Sequence, residues 1–147
     1  MYSGARLGEL VNLKTDDVAE DHFRIVDAKT EAGVRAVPIH REVAQTMARL
    51  VDQSEEGYVL SGIKGQHHVD TMSKAFQRLR KQLGLTDRRQ VFHSIRNTVI
   101  TKLEEAQVQE ATVAAITGHS YPTMTFGLYS GGVSLERKAE ALAKLRY

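Results

Sequence analysis

With 147 residues, 41% of them hydrophobic and 26% charged, the chain has the size and composition of one globular domain with a substantial core. No apolar run approaches the roughly 18 residues a membrane span needs, and no signal peptide opens the sequence. Zero cysteines exclude a disulfide framework and thiolate metal sites, which fits a reducing cytoplasm, and the net charge of +2 points to no partner by itself.

Residues 5–13 predict a short helix, because Leu7, Leu10 and Val11 follow i, i+3, i+4 spacing, and Asp16-Asp17 then break the pattern. Residues 1–6 run straight into this apolar face with no element before it, as expected of a fragment. Residues 22–28 and 34–39 are rich in β-branched and aromatic side chains and predict two strands joined by a hairpin loop over 29–33, which carries Gly33. Pro38 suits the end or edge of the second strand. A helix over 41–52 follows, with Val43, Met47, Leu50 and Val51 as its buried stripe. A short strand is expected over 57–61 and a polar loop over 62–68.

Residues 70–83 predict a basic amphipathic helix with Met72, Phe76, Leu79 and Leu83 inward and Gly84 as its stop. Residues 92–106 predict another, apolar on Ile95, Val99, Ile100 and Leu103. A short helix over 110–117 ends at Gly118, and Pro122 can open the next helical turn. Residues 134–145 close the chain with Leu135, Ala139, Leu142 and Leu145 in helical register. The expected class is α+β, mainly helical, with a small antiparallel sheet.

Charge is distributed unevenly. Between Lys74 and Lys102 lie Arg78, Arg80, Lys81, Arg88, Arg89 and Arg96, against a single acid, Asp87. Acids gather instead over 15–21 and 52–56. A basic middle with acidic flanks is the pattern of a polyanion-binding face.

Within this frame an ordered set of side chains fits phosphate chemistry. His93 and Arg96 stand three apart on one predicted helix and so project from one face. An arginine fork engages two phosphate oxygens together, which lysine cannot do. Gly118 at a helix end favours a left-handed cap that throws His119 out of the helical path. Lys29, at the hairpin tip, can reach outward and protonate a leaving oxygen. Tyr129 lies between glycines and offers a hydroxyl that neighbouring cations can activate. Singly, each has a plain structural explanation: a solvated lysine, a surface arginine, a packed tyrosine. The ordered set is the signal. His67-His68 lacks the accompanying ligands of a zinc site, and no phosphate-binding glycine loop or nucleophile elbow appears.

Tyr2-Ser3-Gly4-Ala5-Arg6-Leu7-Gly8-Glu9-Leu10 resembles the first arginine box of the tyrosine recombinases, the phage integrase family. Ala28-Lys29-Thr30-Glu31-Ala32-Gly33-Val34-Arg35-Ala36-Val37-Pro38-Ile39 resembles the lysine-bearing hairpin of that family. His93-Ser94-Ile95-Arg96, Thr117-Gly118-His119 and Tyr129 follow in the family's order, so the likeness runs from Tyr2 to Ser130. The interval from Gly118-His119 to Tyr129 is slightly longer than usual, with Pro122 in the gap. Tyr121 is too close to His119 to sit on a separate segment, and Phe126 has no hydroxyl.

The resemblance implies a catalytic domain over 1–147, without the family's N-terminal DNA-clamping domain. It implies site-specific recombination by DNA strand cleavage and rejoining, with no metal or nucleotide cofactor. Tyr129 would attack the phosphate to give a 3′-phosphotyrosine. Arg6 and Arg96 would stabilise the nonbridging oxygens, and His93 and His119 would assist. Lys29 would protonate the leaving 5′ oxygen, and Glu9 would hold Arg6 in place. Implied partners are a double-stranded DNA recombination site and further copies of the chain in a tetramer on DNA, and no membrane. The implied location is the cytoplasm, in association with the nucleoid. His93 separates the set from type IB topoisomerases, which resemble it with a lysine there. Residues 109–129, helix–Gly–helix, also fit a noncatalytic helix-turn-helix regulator, a reading that leaves Arg6 and Lys29 without a role.

Overall fold

A computed structural model describes residues 2–27, 33–63, 68–119 and 132–147. Lys29 with most of the hairpin loop, His67, Tyr121, the turn at Pro122, and Tyr129 lie outside the described residues.

The first helix, α1, is shorter than its apolar spacing predicts and covers Leu7–Val11. Ala5 and Arg6 remain non-helical because the Arg6 backbone N–H is taken by the Glu9 carboxylate at 2.8 Å, which fixes the helix start one turn upstream of that acid. A 3-10 turn over Thr15–Asp17 follows. Strands β1 (His22–Ile25) and β2 (Arg35–Pro38) pair antiparallel, with Phe23 opposite Val37 and Ile25 opposite Arg35. Pro38 is the last residue of β2, where its missing donor costs least. Helix α2 spans Arg41–Asp52 as predicted, but its apolar stripe is only half-buried, packed on the edge of the core.

Residues 57–61 form no strand. Tyr58 makes an isolated bridge to Lys14 and the Val59 N–H reaches the Leu13 carbonyl at 2.9 Å, so the segment finds a single short partner and no ladder. Helix α3 runs from His68 to Gln82. Its expected inward face is inward at one end only: Met72 and Phe76 are half-buried, whereas Leu79 and Leu83 are exposed. Contact with α1, and the edge-to-face pair of Phe76 with Phe92 at 5.5 Å, hold this helix.

Helices α4 (Phe92–Glu105), α5 (Glu110–Thr117) and α6 (Leu135–Leu142) are the remaining helices among the described residues. The small sheet lies against α5 and α6, and α5 packs on α4. Val37, Val99, Leu103, Ile116, Leu142 and Leu145 are essentially inaccessible and form the centre of the core. On α6 the buried positions are Lys138, Ala141 and Leu142, so Ala139, expected inward, faces solvent. Burial of Lys138 is offset through Nζ, which donates to the Ala36 carbonyl at 3.0 Å and ties α6 to β2. Near the termini, Tyr2 stacks on His40 at 4.4 Å and meets Tyr147 edge-on at 5.1 Å. The segment leading to Arg6 is anchored this way. The architecture is mainly helical with a two-stranded antiparallel sheet.

Two helix ends use one device with different residues. After α3 the Leu85 N–H reaches the Arg80 carbonyl and the Gly84 N–H reaches Lys81, with Gly84 at φ +71°. After α4 the Val108 N–H reaches Leu103 and the Gln107 N–H reaches Glu104, with Gln107 at φ +56°. Both are Schellman caps, but a side chain in the left-handed region is strained where glycine is not. Gln107→Gly is therefore expected to raise stability by about 0.5–1 kcal/mol in urea unfolding, while Gly84→Ala lowers it by a similar amount.

Candidate active site

The last carbonyls of a helix have no partner within it and carry the negative end of its dipole. In α5 these groups collect three arginines. Arg35 Nε donates to the Ile116 carbonyl at 2.7 Å, Arg96 Nη1 to Thr117 at 2.6 Å, and Arg6 Nη2 to Gly118 at 3.0 Å. Three side chains remote in sequence meet at three consecutive carbonyls. Gly118 closes the helix at φ +72°, and a Cβ there would lie 2.5 Å from Arg35 Nη1. Only glycine fits that approach.

Glu9 sets two of these arginines. Its Oε1 takes Arg6 Nη1 at 2.7 Å, and Arg35 spans both oxygens, at 3.2 Å and 2.9 Å. The Glu9 and Arg35 side chains are only 7% and 4% exposed, so water screens this pair weakly. Burial works to raise the Glu9 pKa. The hydrogen bonds from Arg35 and the Arg6 backbone, with the Arg35 charge, outweigh it and hold the carboxylate below its ordinary value.

Arg96 differs from both. It projects from α4 into the core and is 1% exposed, yet among the described residues no carboxylate pairs with it. Nη1 donates to Gly4 and Thr117 carbonyls, each at 2.6 Å, whereas Nε and Nη2 have no partner among the described residues. Desolvation, with the nearby charges of Arg6 and Arg35 against the opposing Glu9, pushes its pKa down to about 10. Nε–H and Nη2–H form the side-on fork of a guanidinium, the edge that grips two oxygens of one anion. Gly4 makes the first of those carbonyl contacts possible. It sits at φ +62°, where a Cβ would come within 3.1 Å of Thr117 and 3.3 Å of Val99.

His119 follows Gly118 and is exposed beside this cluster. Partial burial, then the charges of Arg96, Arg6, His93 and Arg35, lower its pKa below the ordinary histidine value. His93, which contributes to that field, lies on the exposed first turn of α4, one turn before Arg96. The start of α4 is fixed by Ser94, whose Oγ accepts from the Val91 N–H at 3.2 Å and donates to the Arg89 carbonyl at 2.7 Å.

Of the residues the sequence singles out, Arg6, His93, Arg96 and His119 come together, with Glu9 beside Arg6. Lys29 and Tyr129 lie outside the described residues. Arg35 stood inside the hairpin motif without a role; nothing in its spacing distinguished it from the other strand arginine, Arg24. The basic stretch divides as well: Arg80 turns to the Asp87 and Gln90 carbonyls at 2.7 and 3.1 Å, and Arg89 pairs with Asp87. Lys74, Arg78, Lys81 and Arg88 remain exposed. Among the described residues no cluster of His, Asp and Glu could hold a metal ion.

The His119 assignment has a measurable sign. Cations around it disfavour the imidazolium, so an anion seated at Arg96 offsets that field and favours protonation. In NMR titrations His119 should titrate below the ordinary histidine value in the apo chain and move upward when orthophosphate is added. A downward shift, or none, would separate His119 from the Arg96 pocket.

Residues 1–131 match the model of the Phage integrase family. The chain is 26% identical to a "Tyrosine recombinase XerC-like" protein of Caldanaerobacter subterraneus subsp. tengcongensis, over 87% of this chain and 42% of that relative. Its fold is similar to the crystal structure of XerA recombinase, with a TM-score of 0.70 at 22% identity, covering 99% of this chain and 54% of the other. It is also similar to the Tn1549 transposon integrase, solved in complex with circular intermediate DNA, with a TM-score of 0.63 at 24% identity over 98% and 56% of the two chains. The chain thus spans about half the length of the relatives it matches. Three arginines gathered at one helix end on this fold, within a match over residues 1–131, lead to one assignment: the chain belongs to the phage integrase family.

Proposed function

We propose that this domain cleaves and rejoins DNA strands at specific recombination sites through a 3′-phosphotyrosyl intermediate. The observation that carries the reading is Arg96, a buried guanidinium whose two-donor edge has no partner among the described residues. Leaving a buried charge without a counter-ion costs several kcal/mol, so such a pocket is built for an anion that arrives with the substrate. A noncatalytic DNA-binding regulator would have no need to bury that fork. The complex of the Tn1549 integrase with DNA supports a DNA partner for the family fold.

In this mechanism Arg96 Nε and Nη2 hold one or two nonbridging oxygens of the scissile phosphate. Arg6, whose side chain is 42% exposed while Glu9 and Gly118 hold its Nη atoms, contributes charge from the adjacent side. Both strengthen as negative charge grows in the transition state, and loss of one such donor lowers the rate by about 10²–10³. The Tyr129 oxygen attacks phosphorus as its proton passes to a histidine of the set, His93 or His119, or to solvent, forming the phosphotyrosyl ester. The bond from phosphorus to the 5′ oxygen breaks, and Lys29 supplies the proton that oxygen takes. His119, whose neutral form is favoured by partial burial and then by the surrounding cations, takes part in proton transfer at the phosphate, with His93 assisting. One ester replaces another, so the reverse attack by a 5′ hydroxyl rejoins a strand without an external energy source. Assembly of several copies on DNA, as a tetramer, would supply the partner strands. No described helix is long and apolar enough to cross a membrane.

A nicked suicide substrate carrying the recombination site tests the chemistry, because cleavage there traps the protein on DNA. Tyr129→Phe should abolish the covalent adduct with folding and DNA binding retained, and Tyr121→Phe should leave the adduct intact. Adduct from the Tyr129 variant would end the assignment of the nucleophile. Arg96→Lys should slow adduct formation by at least about 10² while the chain stays folded.

Binding itself should respond to salt. Phosphate contacts release counterions, so affinity for duplex DNA is expected to fall steeply between about 50 and 200 mM salt, roughly in proportion to the number of phosphates held. Titrations at several salt concentrations give the slope. A flat dependence would argue against a phosphate-gripping surface.

A further inference from the structure

We infer that Arg35 is a positioning residue for the phosphate pocket, setting Arg6 and the end of α5 without itself touching substrate; the inference rests on the function proposed above. Arg35 directs Nε to the Ile116 carbonyl, Nη1 to the Gly33 carbonyl and Glu9 Oε1, and Nη2 to Glu9 Oε2. Its side chain is 4% exposed. With all three nitrogens engaged and the side chain sealed from solvent, it offers no edge to a phosphate, in contrast to Arg96, whose Nε and Nη2 have no partner among the described residues.

What Arg35 does is join three elements that each carry a part of the site. Through Glu9 it meets α1, where the same carboxylate holds Arg6 Nη1 at 2.7 Å and the Arg6 backbone at 2.8 Å. Through Ile116 it meets the end of α5, where the next two carbonyls receive Arg96 and Arg6. Through Gly33 it meets the start of β2, just after the loop that carries Lys29. A planar fork fixes the angle of the Glu9 carboxylate and so the angle of Arg6 beyond it. Lysine would keep the charge and lose this geometry, because an ammonium is a point charge with no fixed plane.

The test compares wild type with Arg35→Lys and Arg35→Gln, and with Glu9→Gln, which cuts the same link from the other side. Thermal melts establish which variants fold, and Glu9→Gln stands in if the Arg35 variants do not. Orthophosphate is the probe, followed through the Arg96 guanidinium and the histidine rings by NMR. Folded Arg35→Lys should bind orthophosphate about tenfold more weakly, the loss expected when one charge-assisted hydrogen bond is misdirected. In the absence of any ligand, its Arg6 guanidinium signals should move and average, as the Nη groups lose their fixed partners. A role confined to holding the fold would leave the affinity of a folded variant unchanged. Wild-type affinity together with unchanged Arg6 signals in Arg35→Lys would overturn the inference. If the wild-type chain binds no orthophosphate, the proposed function loses its support, while the ligand-free Arg6 signals still decide the role of Arg35.

Discussion

Everything in the site depends on the C-terminal end of one eight-residue helix. Ile116, Thr117 and Gly118 present three successive carbonyls that α5 cannot satisfy internally, and arginines from β2, α4 and the entry to α1 fill them in turn. A helix end supplies partial negative charge without any added acid. That is why three guanidinium groups can gather at one helix end although Glu9 pairs with only two of them, Arg6 and Arg35, and among the described residues the cluster still carries an excess of positive charge. A second buried acid would stabilise the empty pocket and compete with the phosphate it is proposed to receive.

The three arginines are graded by how fully they are partnered. Arg35 has all three nitrogens engaged, Arg6 is held at its tip and partly exposed, and Arg96 is buried with one fork unpartnered among the described residues. Such a gradient suits preorganisation. In the function proposed, the fully engaged member would fix geometry, and substrate binding would offset the desolvation of the unpartnered one. Burial and the same field lower the proton affinity of His119 and so favour its neutral ring.

Packing serves this arrangement at a distance. α4 delivers Arg96 close to Val99 and Leu103, which are fully buried, so the guanidinium is placed by core contacts and not by a flexible surface stem. The sheet delivers Arg35 through register, with Phe23 and Val37 locking the strands so that Arg35 lies opposite Ile25. α6 clamps the outer side of β2 through Lys138. By contrast α3 makes its contact with α1 and Phe92, away from the three carbonyls. Its outer end carries exposed basic groups, Arg78 and Lys81 among them, with Leu79 and Leu83 in solvent.

The sequence by itself determined the elements whose signals are local. α5 was legible to the residue because its stop is a glycine that the backbone requires at φ +72°, and α2 because its apolar spacing and polar flanks agree. The family's motifs were legible for the same reason: each is a short run read without knowing its neighbours. Leu79 and Leu83 show where that kind of reading stops, since helical spacing marks an apolar face but does not say whether another element covers it. The expected strand over 57–61 failed similarly, because β-propensity needs a partner and the chain supplied one residue. Arg96 was visible as a motif residue, but that its fork is buried and open depends on Gly4, Thr117 and α5 arriving together. Arg35 was invisible as a site residue, because its role exists only where α1, β2 and the end of α5 converge. Hydrogen-bond partners remote in sequence are decided by tertiary packing, and the division of labour among the three arginines is a property of those partners.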